Sequence, residues 1–425
     1  MTTTLVFCGV AAHDTGVARA AEPAAKTVVM MEPGDVTDVA DAFDDDNDDD
    51  FDFSVGVQFE YLSKSARILR ESAIFEPGLT TGGYTSRTLL VGQYSEVTSR
   101  LTPRIDIGIY KDLALYAKLP ITISNSRKID APDGAAGNVD ATLGGAPGEQ
   151  LFGLPFKAPS RGGVERIIVG IDWGIFNQAR DNTKPTWVFG VEAQLSAGDA
   201  MNPCNGNLPD DKACTHPGDI DRSGDFTPSI TGAGGIALEA EKQSKPSAGI
   251  TDGLVGLQLH TLMSKRIKYI EPYGGIQALV RFRQTDSGFN LSNFAGTLVN
   301  TPPVIGTVLL GMMVHPWENR EEFGRITLDF RFQGEYHSEG RDYSELYDAL
   351  GSSAASSLRN PKWARFKDAC PGGNCTPKSV VDTGSQKAYF AGLTVVEPFG
   401  SYRAASSITW RANTYMKVNA GFGVR

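Results

Sequence analysis

The sequence predicts an all-β fold, a transmembrane antiparallel up-and-down β-barrel of about 12 strands with a polar lumen. Three observations predict it. Apolar and polar residues alternate with period two through most of residues 51–425. Short and long connections alternate along the chain, and aromatic residues gather beside the short ones. Composition permits this: the chain has 425 residues, 21% charged, with 47 glycines. Mean hydropathy is −0.20, which a barrel tolerates because only alternate strand residues need face lipid. No run approaches the length of a transmembrane helix. The net charge of −10 argues against a nucleic-acid partner, which calls for a basic stripe.

The chain opens with a short apolar run, Thr4 to Ala12, followed by Ala18-Arg19-Ala20 before Ala21. This suits the apolar core and small-residue cleavage site of a secretory signal peptide over residues 1–20. No Lys or Arg precedes the run, so its n-region is atypical. Residues 21–50 read as an acidic periplasmic leader. Ten aspartates fall within residues 35–52, equal to the whole formal charge of −10, so the remainder is formally neutral. Self-repulsion keeps such a run solvated and extended. Two sharper alternatives remain open: calcium bound by Asp44, Asp46, Asp48 and Asp50, or an electrostatic plug in the lumen. The calcium pattern lacks the turn glycine and terminal glutamate of an EF-hand.

Eleven runs then read as strands: 51–66, 97–109, 113–126, 165–177, 185–198, 250–263, 268–283, 303–316, 325–338, 400–411 and 414–425. Ile167, Val169, Ile171, Trp173 and Ile175 share one face, for example, with Asp172 opposite. In 250–263 and 303–316 both faces are partly apolar. The links near 110–112, 178–184, 264–267, 317–324 and 412–414 are short. Segments 69–91, 128–163, 199–248, 284–302 and 339–399 are long and polar, with 128–163, 199–248 and 339–399 the chief outer loops. Tyr110, Tyr116, Trp173, Trp187, Tyr269, Trp317, Trp410 and Tyr415 lie near the short links. Amphipathic rings there suit a membrane–water interface.

This architecture, over residues 51–425, resembles Gram-negative outer-membrane β-barrel proteins of the porin kind; no motif identifies a subfamily. The resemblance implies a bacterial outer-membrane location, contact with outer-membrane lipid and the assembly machinery, and passive transport of small solutes without a cofactor. Such barrels have an even strand count and are similar in ending on an aromatic residue. Eleven runs and a terminus of Gly421-Phe422-Gly423-Val424-Arg425 therefore leave one strand to find, either beyond the C-terminus or within 386–396. An open edge in lipid would be very costly, so pairing of 414–425 with 51–66 is the decisive contact.

The alternation places Glu60, Arg104, Asp106, Lys118, Asp172, Glu192, His260, Glu271, Arg281, Arg283, Asp329, Arg331, Glu335, Arg403 and Lys417 on the polar face. They line a hydrated pore or fill a narrow barrel as ion pairs. Cys204 and Cys214, and Cys370 and Cys375, form two close pairs in Gly- and Pro-rich loops, as disulfides of an exported protein do. CPGGNC lacks zinc spacing and a nearby His.

Enzyme signatures are absent from the sequence: it holds no HExxH, GxSxG or P-loop. Ser338 adjoins His337 but points to the other face. Tyr343–Leu358 carries a rough helical period, as a constriction loop or a surface helix would. Two rival functions stay in view: a hydrophobic-compound transporter plugged by its N-terminus, and a surface structural or adhesive barrel without transport.

Overall fold

A computed structural model describes residues 2–13, 36–40, 42, 52–76, 83–132, 152–208, 214, 247–284, 287–290, 297–319, 324–352, 392–413 and 416–425. The chain is all-β and mostly antiparallel. Its strands in order are β1 (Thr2–His13), β2 (Phe53–Glu76), β3 (Gly83–Tyr110), β4 (Leu113–Lys118), β5 (Ile121–Asp130), β6 (Phe156–Lys157), β7 (Arg161–Val164), β8 (Arg166–Phe176) and β9 (Thr186–Ser196). There follow β10 (Leu254–Ser264), β11 (Ile270–Arg283), β12 (Ile305–Asn319), β13 (Gly324–His337), β14 (Gly340–Asp342), helix α1 (Tyr347–Ser352), β15 (Thr394–Val396), β16 (Phe399–Arg411) and β17 (Lys417–Val424).

Fifteen of these strands form one sheet, in the order β2-β1-β17-β16-β13-β12-β11-β10-β9-β8-β4-β3-β5-β6, with β7 on β5 and a further β2–β3 pairing. From β8 to β13 each strand pairs with its sequence neighbour, which makes an antiparallel meander. One expected strand is interrupted. Run 113–126 breaks at Leu119-Pro120 into β4 and β5, both paired with β3. Proline cannot donate to a ladder, so a break there is expected. Run 165–177 holds as β8, paired with β4, while β7, at the end of the expected loop 128–163, is a further short strand on β5.

Other departures are informative. Segment 69–91 is not a long loop: β2 and β3 pair continuously from Phe53↔Ile107 to Glu76↔Gly83, with one irregularity at Ile68/Leu69. Leu69, Leu89, Leu90 and Val91 sustain strand character past the expected boundary. Within 386–396, Thr394–Val396 pairs only with β14 in a separate two-stranded sheet; residues 386–391 lie outside the described residues. The C-terminal strand does not pair with residues 51–66. Instead β1 pairs with β17 on one side and β2 on the other, with Leu5 opposite both Phe422 and Tyr61. Residues 2–13, expected within a signal peptide, form a strand of the sheet.

The two faces of the sheet reverse the usual order of burial. Large apolar side chains stand exposed: Trp173 at 53%, Leu310 at 56% and Ile276 at 59%. Charged side chains on the opposite face are covered: Glu271 and His315 at 0%, Glu192 at 4%. On β12 the ambiguity of run 303–316 resolves into a buried series (Thr307, Leu309, Met313, His315) and an exposed series (Val308, Leu310, Met312). Hydrophobic clusters sit mainly at the long-loop end. One joins Val91, Tyr94, Ile129, Phe152, Phe156, Ala158, Ala349 and Leu350; another joins Leu254, Phe289, Tyr347 and Leu393.

Candidate functional site: the polar face and its two ends

Strand alternation aims residues of one parity at one face, and cross-strand register then decides which charges meet. Glu60 lies directly opposite Arg100, and the Arg100 guanidinium donates to Glu60 at 3.2 Å and to Glu165 at 2.9 Å. Arg104 donates to Asp106. Lys118 at 3.0 Å and the Tyr116 hydroxyl at 2.9 Å both donate to Glu192, as does Gln194 at 2.8 Å. Asp172 meets His260 at 2.9 Å. Tyr273 donates to Asp329 at 2.6 Å, and Arg331 donates to both. Arg281 pairs with Asp252 at 3.7 Å and Asp342 at 2.8 Å. Such pairing offsets the desolvation that isolated charges would suffer here.

Of the residues expected on this face, Glu60, Arg104, Asp106, Lys118, Asp172, Glu192, His260, Glu271, Arg281, Asp329, Arg331 and Glu335 all enter these networks. Glu335 accepts from Gln333, Ser401 and Arg425 and lies near His337. Arg283 stands exposed at the end of β11. Arg403 and Lys417 are half-buried on the same face.

Tyrosine was the residue type that alternation alone did not assign. Tyr116, expected at a membrane interface, is 2% exposed and belongs to the Glu192 network. Its ring lies across Gly170, and that of Tyr273 across Gly311; a Cβ at either glycine would collide with the ring. These are direct cross-strand partners, so a tyrosine facing a glycine was the available sign. Tyr110, Trp173, Tyr269, Trp317 and Trp410 are exposed as expected, and Trp187 is half-buried with its indole donating to Thr261. Tyr415 lies outside the described residues.

The short-turn end holds a buried chain of polar groups. Ser264 donates to Glu271 at 2.7 Å, Glu271 meets His315 at 3.3 Å, and His315 meets Thr327 at 3.0 Å. The leader reaches this chain: Thr37, 2% exposed, bonds Ser264 at 2.8 Å. Val36 packs against Tyr273, Leu309 and Met313, and Ala42 exchanges backbone hydrogen bonds with Lys111. Part of the leader therefore packs on the polar face. The calcium candidates Asp44, Asp46, Asp48 and Asp50 lie outside the described residues. Among the described residues no group of His, Cys, Asp or Glu could hold a metal.

The long-loop end is built on α1. All its residues from Tyr347 to Gly351 are buried, so α1 is not a surface helix; residues 353–358 of the expected helical segment lie outside the described residues. Asp348 pairs with Arg161 at 2.6 Å and Arg127 at 2.8 Å, and accepts from the Cys204 amide at 3.0 Å. Cys204 and Cys214 are disulfide-bonded; Cys370 and Cys375 lie outside the described residues. Lys64 pairs with Glu345. Burial pushes the Glu345 carboxyl up, but the Lys64 ammonium outweighs it and leaves the pKa below the usual value. No helix among the described residues is long and apolar enough to cross a membrane, which says nothing of strands. No known family of proteins matches this chain, and no curated protein does either.

Proposed function

We propose that the sheet closes into a barrel of about 12 strands, spans the bacterial outer membrane, and passes small polar solutes passively through its lumen. The inverted burial carries this reading. A monomer in water rarely exposes more than a few hundred Å² of contiguous apolar surface, yet here an apolar face runs across the meander from β8 to β13 and on to β16. Lipid is the solvent that suits it. Strands β8 and β9 have 11 residues each, within the roughly 9–11 a tilted strand needs to span. Counting β4 with β5 and β7 with β8, every line of strands has a hydrogen-bonded neighbour on both sides, with β1 bridging β17 and β2. That arrangement supports closure, since open edges in hydrocarbon are prohibitive. The charged networks then line or fill the interior.

Reconstitution in planar bilayers tests the function. The expected result is stepwise ohmic conductance; silence from a folded, membrane-inserted chain overturns it. N-terminal sequencing of the mature protein tells whether residues 2–13 remain between β17 and β2.

One observation favours a second reading, a plugged transporter for hydrophobic compounds. Val36 and Thr37 pack at the short-turn end, against an apolar patch of Leu262, Leu309 and Met313. Against it, that patch adjoins charged groups, with Asp329 directly opposite Met313 and bonded to Tyr273 and Arg331. Deleting residues 36–42 distinguishes the two: larger conductance to salt marks a simple obstruction of a polar pore, whereas unchanged salt conductance with lost uptake of an apolar solute marks a transporter.

A further inference from the structure

The polar face is not uniformly filled. From β4 to β12 it is crowded: Tyr116, Glu192, Gln194, Glu271, Tyr273 and Thr307 are all under 9% exposed. Rings and carboxylates there lie flat over cross-strand glycines, as Tyr116 does over Gly170 and the Asp172–His260 pair over Gly190. Along β16, β17 and the start of β2 the same face carries small groups. Ala405 and Ser407 lie opposite Gly423 and Gly421. Gly56 on β2 meets open space, for a Cβ added there has no described atom within 4 Å.

Arg403 stands on that wall. It lies opposite Gln333, with its Nε 3.2 Å from where a Cβ on Gly423 would sit. It is half-buried, and among the described residues it has no ion-pair or hydrogen-bond partner. The nearest carboxylate on the neighbouring strand, Glu335, is already engaged by Arg425 and Ser401. By contrast Arg100, Arg104, Lys118, Arg281 and Arg331, on the other polar strands, each hold a carboxylate.

We infer that the solute path runs off-centre, along the β16–β17 wall and toward the start of β2, and that Arg403 is its selectivity residue, favouring small anions or solutes with a carboxylate or phosphate group. The inference rests on the pore reading above. Its physical basis is that a charge already paired within a wall contributes little net field to a passing ion, whereas a guanidinium with no carboxylate partner among the described residues draws anions and presents a planar donor fork to oxyanions.

Two measurements test it. In planar bilayers under a salt gradient, the wild-type chain should prefer anions, and Arg403→Glu should lower the anion-to-cation permeability ratio several-fold and reverse the sign of the reversal potential. Arg331→Gln, whose charge is paired, should shift it much less. Equal shifts from both, or none from Arg403→Glu, overturn the inference while leaving the pore intact. The second measurement needs no conductance. In the membrane-inserted protein, Ser407→Cys and Gly56→Cys should react with a charged, water-soluble methanethiosulfonate reagent faster than Thr307→Cys, with the unsubstituted chain as background. Faster reaction at Thr307→Cys places the path on the other wall and overturns the inference. A wild-type chain that is silent in bilayers overturns the pore reading instead, and the labelling order still decides which wall is open to water.

Discussion

The two ends of the sheet are both covered by chain that is not part of it, but by different means. At the long-loop end the cover is a small folded core. Two hydrophobic clusters, the disulfide and the buried Asp348 with its two arginines hold it. At the short-turn end the described part of the leader, residues 36–40 and 42, meets the sheet through the Thr37–Ser264 hydrogen bond, Val36 against an apolar patch and the Ala42–Lys111 bridge. Among the described residues, then, the long-loop cover is a packed core, while the short-turn cover rests on fewer contacts, and local opening follows the sparser contacts.

That contrast can be broken or sharpened by substitution. The largest effect is expected from Asp348→Ala. It strands Arg161 and Arg127 without their carboxylate and should destabilise the outer cover by about 3–5 kcal/mol, read as earlier unfolding in denaturant and faster proteolysis of the long loops. A loss under 1 kcal/mol would show that the cover does not depend on this hub. Next comes Cys204→Ser. Opening a loop whose ends are 10 residues apart should cost about 2–4 kcal/mol, with reductant producing the same change in the unsubstituted chain and none in the variant.

A smaller effect is expected at the other end. Thr37→Val removes one hydrogen bond of the leader, worth about 0.5–1.5 kcal/mol. It should leave the global unfolding midpoint unchanged while raising hydrogen exchange around residues 36–39. A fall in the midpoint like that of Asp348→Ala would abolish the distinction between the two ends.

The smallest is the pH response of Lys64 and Glu345, whose side chains are 31% and 43% exposed. The Glu345 pKa is depressed in the fold. Its stabilisation is therefore fully present above the ordinary carboxylate range and lost as pH falls through the depressed value. Screening keeps it below about 1 kcal/mol. A difference between wild type and Glu345→Gln that persists unchanged into strong acid would contradict this sign.

Much of the sheet was legible in the sequence because period-two alternation is a local property. Ile167 to Ile175 reports its facing without knowledge of any partner, and the short links at 110–112 and 178–184 follow from the strands they join. The polar face was legible for the same reason, down to Glu192 and Asp329. The long first hairpin was not, since residues 70–76 and 83–88 carry polar groups on both sides and depend on pairing for their strand character. The inward position of Tyr116 was not either: amphipathic rings suit a membrane interface and a buried hydrogen bond alike, and only register against Gly170 separates the two.

Sequence by itself therefore determined the strand class, the facing of the clearly alternating runs and the Cys204–Cys214 proximity, all of which depend on neighbours close along the chain. Tertiary structure decided what no local pattern encodes. It set which charges pair across strands, that β1 lies between β17 and β2, that Thr37 reaches Ser264 across 227 positions, and that Arg403 is left without a described partner. Those outcomes depend on register and on contacts between distant segments, where a shift of one residue along a strand would turn every side chain to the other face.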